Sequence, residues 1–252
     1  MVGSFLNVCI YRLPRDKSIV FPASHCPSCS HKLAPADLIP IISFFLLRRK
    51  CGYCKAPISW RYPLVELVSG MLFVLIFMKY PLDTNLLEII FFIFFSGLAL
   101  TIFFIDLELQ VIPDSLNLGG ILAGLLYNFL KSIFNPGHGL NPFISAILGM
   151  AAGYVLLFLI AKTGKKMFKK EAMGEGDLYL AALLGAYFGW QGALLSILLA
   201  FFLAALVILP LFILGRIKTG DYLPFGPMLV MGGFLFLFIG EQIINWYLFY
   251  LT

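Results

Sequence analysis

Two kinds of residue in this 252-residue chain could do chemistry: carboxylates set against apolar sequence, and cysteines spaced in pairs. Asp177 stands behind two glycines in Met173-Gly174-Glu175-Gly176-Asp177-Leu178, where a long apolar segment begins. Asp106 closes another apolar segment, in Phe104-Ile105-Asp106-Leu107-Glu108-Leu109-Gln110-Val111-Ile112-Pro113-Asp114. Charge at membrane depth is costly, so an ionisable residue there is a functional candidate by default. Two carboxylates held close together cannot both ionise readily and share a proton. One can then take a proton from water while the other gives one to a carbonyl or a leaving amine. That is the chemistry of an aspartic protease, and it requires no covalent nucleophile. No convincing serine–histidine or cysteine–histidine set is visible in the sequence.

The second group is Cys26-Pro27-Ser28-Cys29 followed by Cys51-Gly52-Tyr53-Cys54. Each C-x-x-C turns two thiolates onto one metal ion, and two such knuckles complete a tetrahedral site. Zinc is the expected metal, ahead of iron in the same four-sulfur site or a redox pair. With all four positions closed by protein, the ion should fasten a small domain rather than react. His25 and His31 beside the first knuckle read as exposed loop residues, and Cys9 as a buried thiol in an apolar segment. With His138 they are the only histidines, too few for a histidine-rich metal site.

The elements that must position these groups follow from composition. The chain is 61% hydrophobic and 12% charged, against about 25% charged in a soluble domain. The expected fold is an all-α polytopic membrane protein, a bundle of about seven or eight transmembrane helices with a small zinc-stapled domain. Residues 1–11 read as part of a first membrane helix, 12–62 as the four-cysteine domain, and 63–252 as the membrane-embedded domain that carries the aspartates. Between the knuckles, Leu38 to Leu47 is apolar and too short to span, which predicts a helix lying on the membrane surface. Spans are expected at 63–78, 86–105, 114–131, 141–161, 178–190, 191–214 and 226–248, with a turn at Gly189-Trp190-Gln191-Gly192. Regions 12–62, 162–177 and 215–222 hold 16 of the 18 lysines and arginines. Those loops are therefore placed in the cytoplasm, which also keeps the cysteines reduced. The net charge of +5 is read through this topology and does not point to nucleic acid.

Under that topology Asp106 and Asp177 reach the same face. Asp114 competes with Asp106, but its alternative role is a helix cap after Pro113. Asp106 would sit at a helix C-terminus, where a carboxylate opposes the dipole, so Asp106 is preferred. Glu108 and Glu175 read as solvated at the interface. Glu66 and Glu241 fall inside spans and should each face a polar partner. Gly174 and Gly176 alone would indicate close helix packing; beside Asp106 they read as open backbone near an extended substrate.

The chain resembles bacterial prepilin peptidases (type IV leader peptidases), of the GxGD class of aspartyl proteases. The resemblance rests on Gly3-Ser4-Phe5-Leu6-Asn7-Val8 with Arg12-Leu13-Pro14, the two knuckles, and Arg61-Tyr62-Pro63-Leu64-Val65-Glu66. It continues through the Asp106 to Asp114 stretch, Gly174 to Asp177, and Pro224-Phe225-Gly226-Pro227. It implies cleavage of prepilins or pseudopilins of type IV pilus or type II secretion machinery at the cytoplasmic side of the inner membrane. It also implies N-methylation of the new terminus with S-adenosylmethionine, by the cysteine-bearing domain. By carry-over Asp106 and Asp177 are the catalytic pair, and Cys26, Cys29, Cys51 and Cys54 hold zinc. The expected partners are these pilins and membrane lipid, with no nucleic acid; homo-oligomerisation is left open, as are the particular pilin and the cofactor's binding residues.

Two positions depart from the family. Tyr179 stands where many members have lysine, which removes any charge tuning by lysine. The first apolar segment is also short, pointing to a truncated start or to a member that needs less. A proton- or cation-coupled transporter, or a non-catalytic pilus assembly platform, would account for isolated acids or for the cysteine domain, but not for both with Gly-x-Gly at the interface.

Overall fold

The computed structural model describes residues 1–82, 86–134, 140–169, 173–216 and 223–251. His138, Lys170 and Lys218 lie outside the described residues. The chain divides into two compact units, Met1–Ile105 and Asp106–Thr252, with one long helix running across the boundary. The described residues form helices and turns, with two isolated β-bridges. Among the described residues six helices are long and apolar enough to cross a membrane, which fits a multi-pass membrane protein.

In the N-terminal unit, α1 (Val2–Arg12) runs antiparallel to α3 (Arg61–Lys79). Gly3 lies against Glu66 and Ser69, while Asn7 donates to the Tyr62 carbonyl at 3.1 Å. Arg12 stands at the end of α1, where the four-cysteine region begins. It is buried, and its guanidinium donates to the carbonyls of Ser18 (2.8 Å) and Pro22 (2.7 Å). It ties the start of the cysteine lobe to the end of α1. The expected surface helix is shorter than 38–47: α2 covers only Ile42–Leu46, after a 3-10 turn at Pro35–Leu38. Pro40 brings no N–H, and Ile41 takes a left-handed φ of 63°, so the helix can begin only after them.

α4 (Leu86–Leu109) is one turn longer than expected. Asp106 therefore lies within its last turn, and Gln110, with a φ of 55°, closes the helix by an N–H to the Asp106 carbonyl.

The C-terminal unit follows as α5 (Asp114–Phe134), α6 (Pro142–Phe168), α7 (Glu175–Ile213) and α8 (Gly226–Leu235). A π-turn (Phe236–Gly240) then leads into α9 (Glu241–Leu251). α7 is two helices joined at Gly189, whose φ of 70° and ψ of −174° are open to glycine and strained for other residues. The chain reverses there. Before the break, Gly153 meets Ala181 and Gly149 meets Gly185, so 175–188 runs back along α6. After it, Gly232 meets the Ser196 backbone, and the Phe201 and Phe225 rings lie 4.9 Å apart, which returns the chain to the level of Gly226. The first limb, at about 21 Å, is shorter than a bilayer core of about 30 Å.

The break leaves carbonyls of the preceding turn without helical donors. Asn128 of α5 supplies them, donating to Ala186 at 2.8 Å and Tyr187 at 3.1 Å. Asn117, Gly120, Gly124 and Asn128 recur every three or four residues and are the buried stripe of α5. Along this stripe the first limb of α7 packs in parallel, with Asn117 at one end and Asn128 at the other.

Candidate active site and metal centre

In the N-terminal unit the four cysteines converge. Their sulfurs lie within 4.8 Å of one another, and Cys26 Sγ is 3.8 Å from Cys54 Sγ. The two knuckles are built alike. Cys26 N–H donates to His31 and Ser30 N–H returns to Cys26; Cys51 N–H donates to Ala56 and Lys55 N–H returns to Cys51. The fourth residue after each leading cysteine, Ser30 and Lys55, takes a left-handed φ that closes the turn. Short bridges flank both, His25 with Lys32 and Lys50 with Pro57. Backbone N–H groups of Cys54 and Tyr53 hold the Cys51 thiol down at about 7. Cys26 and Cys51 are buried and Cys29 and Cys54 exposed, so the cluster can hold a metal ion at the lobe's surface. His25 and His31 are not part of it; the His31 ring stacks on Tyr53 at 3.7 Å and links the knuckles.

In the C-terminal unit, Asp106 and Asp177 are both buried, each with 4% of its surface exposed. Asp177 occupies the third position of α7, and its carboxylate reaches back to the Gly174 N–H at 3.2 Å. Its own N–H returns to the Gly174 carbonyl at 3.2 Å. This clamp fixes the carboxylate over the open N–H groups of a helix start. The two aspartates lie within Coulomb range of each other. Asp106 Oδ2 is buried and has no hydrogen-bond partner among the described residues. Such an orphaned acceptor costs stability unless something is bound to it.

Three further residues complete the site. Gly226 presses its backbone on Asp106, so that a Cβ there would stand 2.5 Å from Oδ2. Ile112 wedges between Gly226 and Gly176, where added Cβ atoms would meet it at 3.1 and 2.9 Å. Asn117 is buried and donates to the Gly176 carbonyl at 3.2 Å, which holds the Gly174–Asp177 turn against α5. Sequence reasoning noted Pro224 to Pro227 only as part of a resemblance, and gave Ile112 and Asn117 no role. The buried stripe of α5 was the available signal for Asn117, since an amide on an otherwise small-residue helix face needs a partner.

The competing acids lie elsewhere. Asp114 is exposed in the first turn of α5, and Glu108 and Glu175 are exposed. Tyr179 is two residues beyond Asp177, about 200° around the helix, and its ring packs at 5.7 Å on Tyr154. Glu66 has the polar partners expected of it, the Ser4 hydroxyl and the Ile41 N–H. Glu241 does not follow the expectation of a bundle-facing partner. It is exposed, and it comes after Phe236, which already packs on Phe188 beside the Gly189 turn at the far end.

Residues 1–80 match the family model for the bacterial peptidase A24 N-terminal domain, and residues 93–209 match that of the type IV leader peptidase family. A prepilin leader peptidase/N-methyltransferase of Aeromonas hydrophila is 34% identical over 98% of this chain and 90% of its own. Its counterpart in Neisseria gonorrhoeae is 35% identical over 98% of this chain and 91% of its own. That of Myxococcus xanthus is 41% identical over 79% of this chain and 56% of its own. No solved structure matches. With both domain models in order and relatives matched along nearly the whole chain, this protein belongs to the type IV leader peptidase family.

Proposed function

We propose that this chain is an aspartic endopeptidase that removes the leader of type IV prepilins or pseudopilins, with Asp106 and Asp177 as its catalytic pair, and that it then N-methylates the new terminus. The observation that carries the reading is two buried carboxylates within Coulomb range of each other, one clamped at a helix start and the other with an oxygen that has no hydrogen-bond partner among the described residues. One carboxylate takes a proton from water as that water attacks the scissile carbonyl; the other, protonated, hydrogen-bonds to the carbonyl and then protonates the leaving amine. A substrate helix protects its own peptide bonds, so its scissile segment must unwind to reach the pair.

The lysine and arginine distribution supports a cytoplasmic face for both the cysteine lobe and the aspartates, in the bacterial inner membrane. Zinc is the proposed metal. At about 2.3 Å per Zn–S bond, a tetrahedron places its sulfurs about 3.8 Å apart, which matches the 3.8 Å between Cys26 and Cys54. Zinc there would hold the lobe folded. S-adenosylmethionine would supply the methyl group. The N-terminal unit fits a cationic donor and an amine acceptor in one respect, since its half-buried Glu66 offers negative charge held by neutral groups only.

The test is to incubate the purified protein with a prepilin and S-adenosylmethionine and to read the product's mass. Loss of the leader is expected, followed by a further methyl mass. An unprocessed prepilin, with proton flux in reconstituted vesicles, would overturn the reading in favour of a transporter.

A further inference from the structure

The seam between α1 and α3 holds a carboxylate that the peptidase chemistry does not use. Glu66 Oε1 accepts the Ser4 hydroxyl, and Oε2 accepts the Ile41 N–H at 2.8 Å. The Ser4 hydroxyl also faces the Leu38 carbonyl at 3.5 Å, so Glu66 sits among neutral hydrogen-bonding groups. Both donors are neutral, and no ion pair to Glu66 is found among the described residues. A half-buried carboxyl whose partners are all neutral can take a cation as a further partner.

A second observation lies one helical turn along the same seam. Asn7 is 2% exposed and donates to the carbonyls of Gly3 and Tyr62. Its Oδ1 is buried without a hydrogen-bond partner among the described residues. Ser4, Asn7 and Glu66 thus place oxygen acceptors along one seam, which suits a ligand with several N–H donors and a positive charge. The surroundings are apolar and exposed: Phe5 follows Ser4, and Ile42 and Phe45 follow Ile41.

We propose that this seam binds the α-ammonium of the shortened pilin, the amine that is to be methylated, with the start of its apolar stem on Phe5, Ile42 and Phe45. A primary ammonium has a positive charge and three N–H donors, which suit oxygen acceptors of this kind. The inference rests on the methylation reading and not on the assignment of the aspartates. The methyl donor carries an α-ammonium too, but no apolar stem, and so shares only half of this recognition.

The experiment compares two synthetic product peptides, each an N-terminal phenylalanine followed by an apolar stem, one with a free amine and one N-acetylated. Binding to the full-length protein in lipid nanodiscs is expected to favour the free amine by about tenfold or more. Glu66→Gln is expected to reduce that preference to near unity while leader removal from a prepilin, measured on the same preparation, stays intact. Equal binding of the two peptides to the unaltered protein would overturn the proposal, as would a preference that survives Glu66→Gln. Loss of S-adenosylhomocysteine binding in Glu66→Gln with the peptide preference kept would assign the seam to the donor and overturn it as well. Failure of the unaltered protein to methylate would fall on the functional reading instead.

Discussion

The cysteine cluster and the aspartate pair are both assembled from distant parts of the chain, yet they are built in opposite ways. Each cysteine knuckle is a self-sufficient turn, closed by its own backbone hydrogen bonds and its own left-handed residue, Ser30 or Lys55. Bringing two such turns together leaves four sulfurs with nothing further to hold but one ion. The aspartates have no such local frame. Asp177 is clamped by Gly174, but the surroundings of Asp106 come from Gly226, Ile112 and the turn held by Asn117. The closed site spends its donors on folding, whereas in the open one an acceptor, Asp106 Oδ2, has no hydrogen-bond partner among the described residues. The proposed stabilising site and the proposed reacting site differ here in what is left over.

Substitutions should separate the two regions. The largest effect is expected from Asp106→Asn or Asp177→Asn, each lowering the rate of leader removal by about 1,000-fold or more, read by mass spectrometry of the product. Membrane insertion and melting should stay close to those of the unaltered protein. Asp114→Asn, in an exposed first turn, should retain most activity; if instead it abolishes cleavage and Asp106→Asn does not, the pair has been assigned wrongly.

Cys26→Ser should lose the bound metal, read by elemental analysis, and open the 13–60 lobe to protease. A structural zinc contributes about 10–16 kcal/mol to its domain. Cleavage should fall far less than with either aspartate substitution, because the knuckles hold a lobe and not the reacting groups. Cleavage that fell equally would mean that the regions are not separable.

Gly226→Ala should slow cleavage by about 10- to 100-fold through the turnover number rather than substrate affinity, since a 1 Å misplacement near the reacting groups can cost about that much. Its Cβ would stand 2.5 Å from Asp106 Oδ2. Asn117→Ala removes one donor to the Gly176 carbonyl, worth about 1 kcal/mol, and should cost about fivefold in cleavage. The smallest effect is expected from Tyr179→Lys, within about twofold in steady-state assays, because position 179 faces away from Asp177. A large gain would restore the idea that a lysine there tunes the pair.

Much of this was legible from residue types alone. The paired C-x-x-C spacing, the apolar spans and the lysine and arginine loops are local patterns, and local patterns determine local structure. Gly189-Trp190-Gln191-Gly192 announced a break, and the chain breaks at Gly189 because its φ of 70° suits glycine best. Local patterns fell short where a distant group settled the matter. Nothing in the local sequence showed that Arg12 is buried, which it is because the Ser18 and Pro22 carbonyls accept its guanidinium. The surface helix after Leu38 was cut to Ile42–Leu46 by the left-handed Ile41, whose N–H goes instead to Glu66.

By itself the sequence determined that this is a helical membrane protein with a four-cysteine lobe and isolated acids near one face, because hydropathy and spacing are properties of short segments. Only the tertiary structure decided which acids are withdrawn from water and what stands beside them. Asp106 is buried where the last turn of α4 meets the backbone of Gly226, 120 positions further along, whereas Asp114 is exposed. Such contacts have no period and no motif, because they are made by the packing of whole helices.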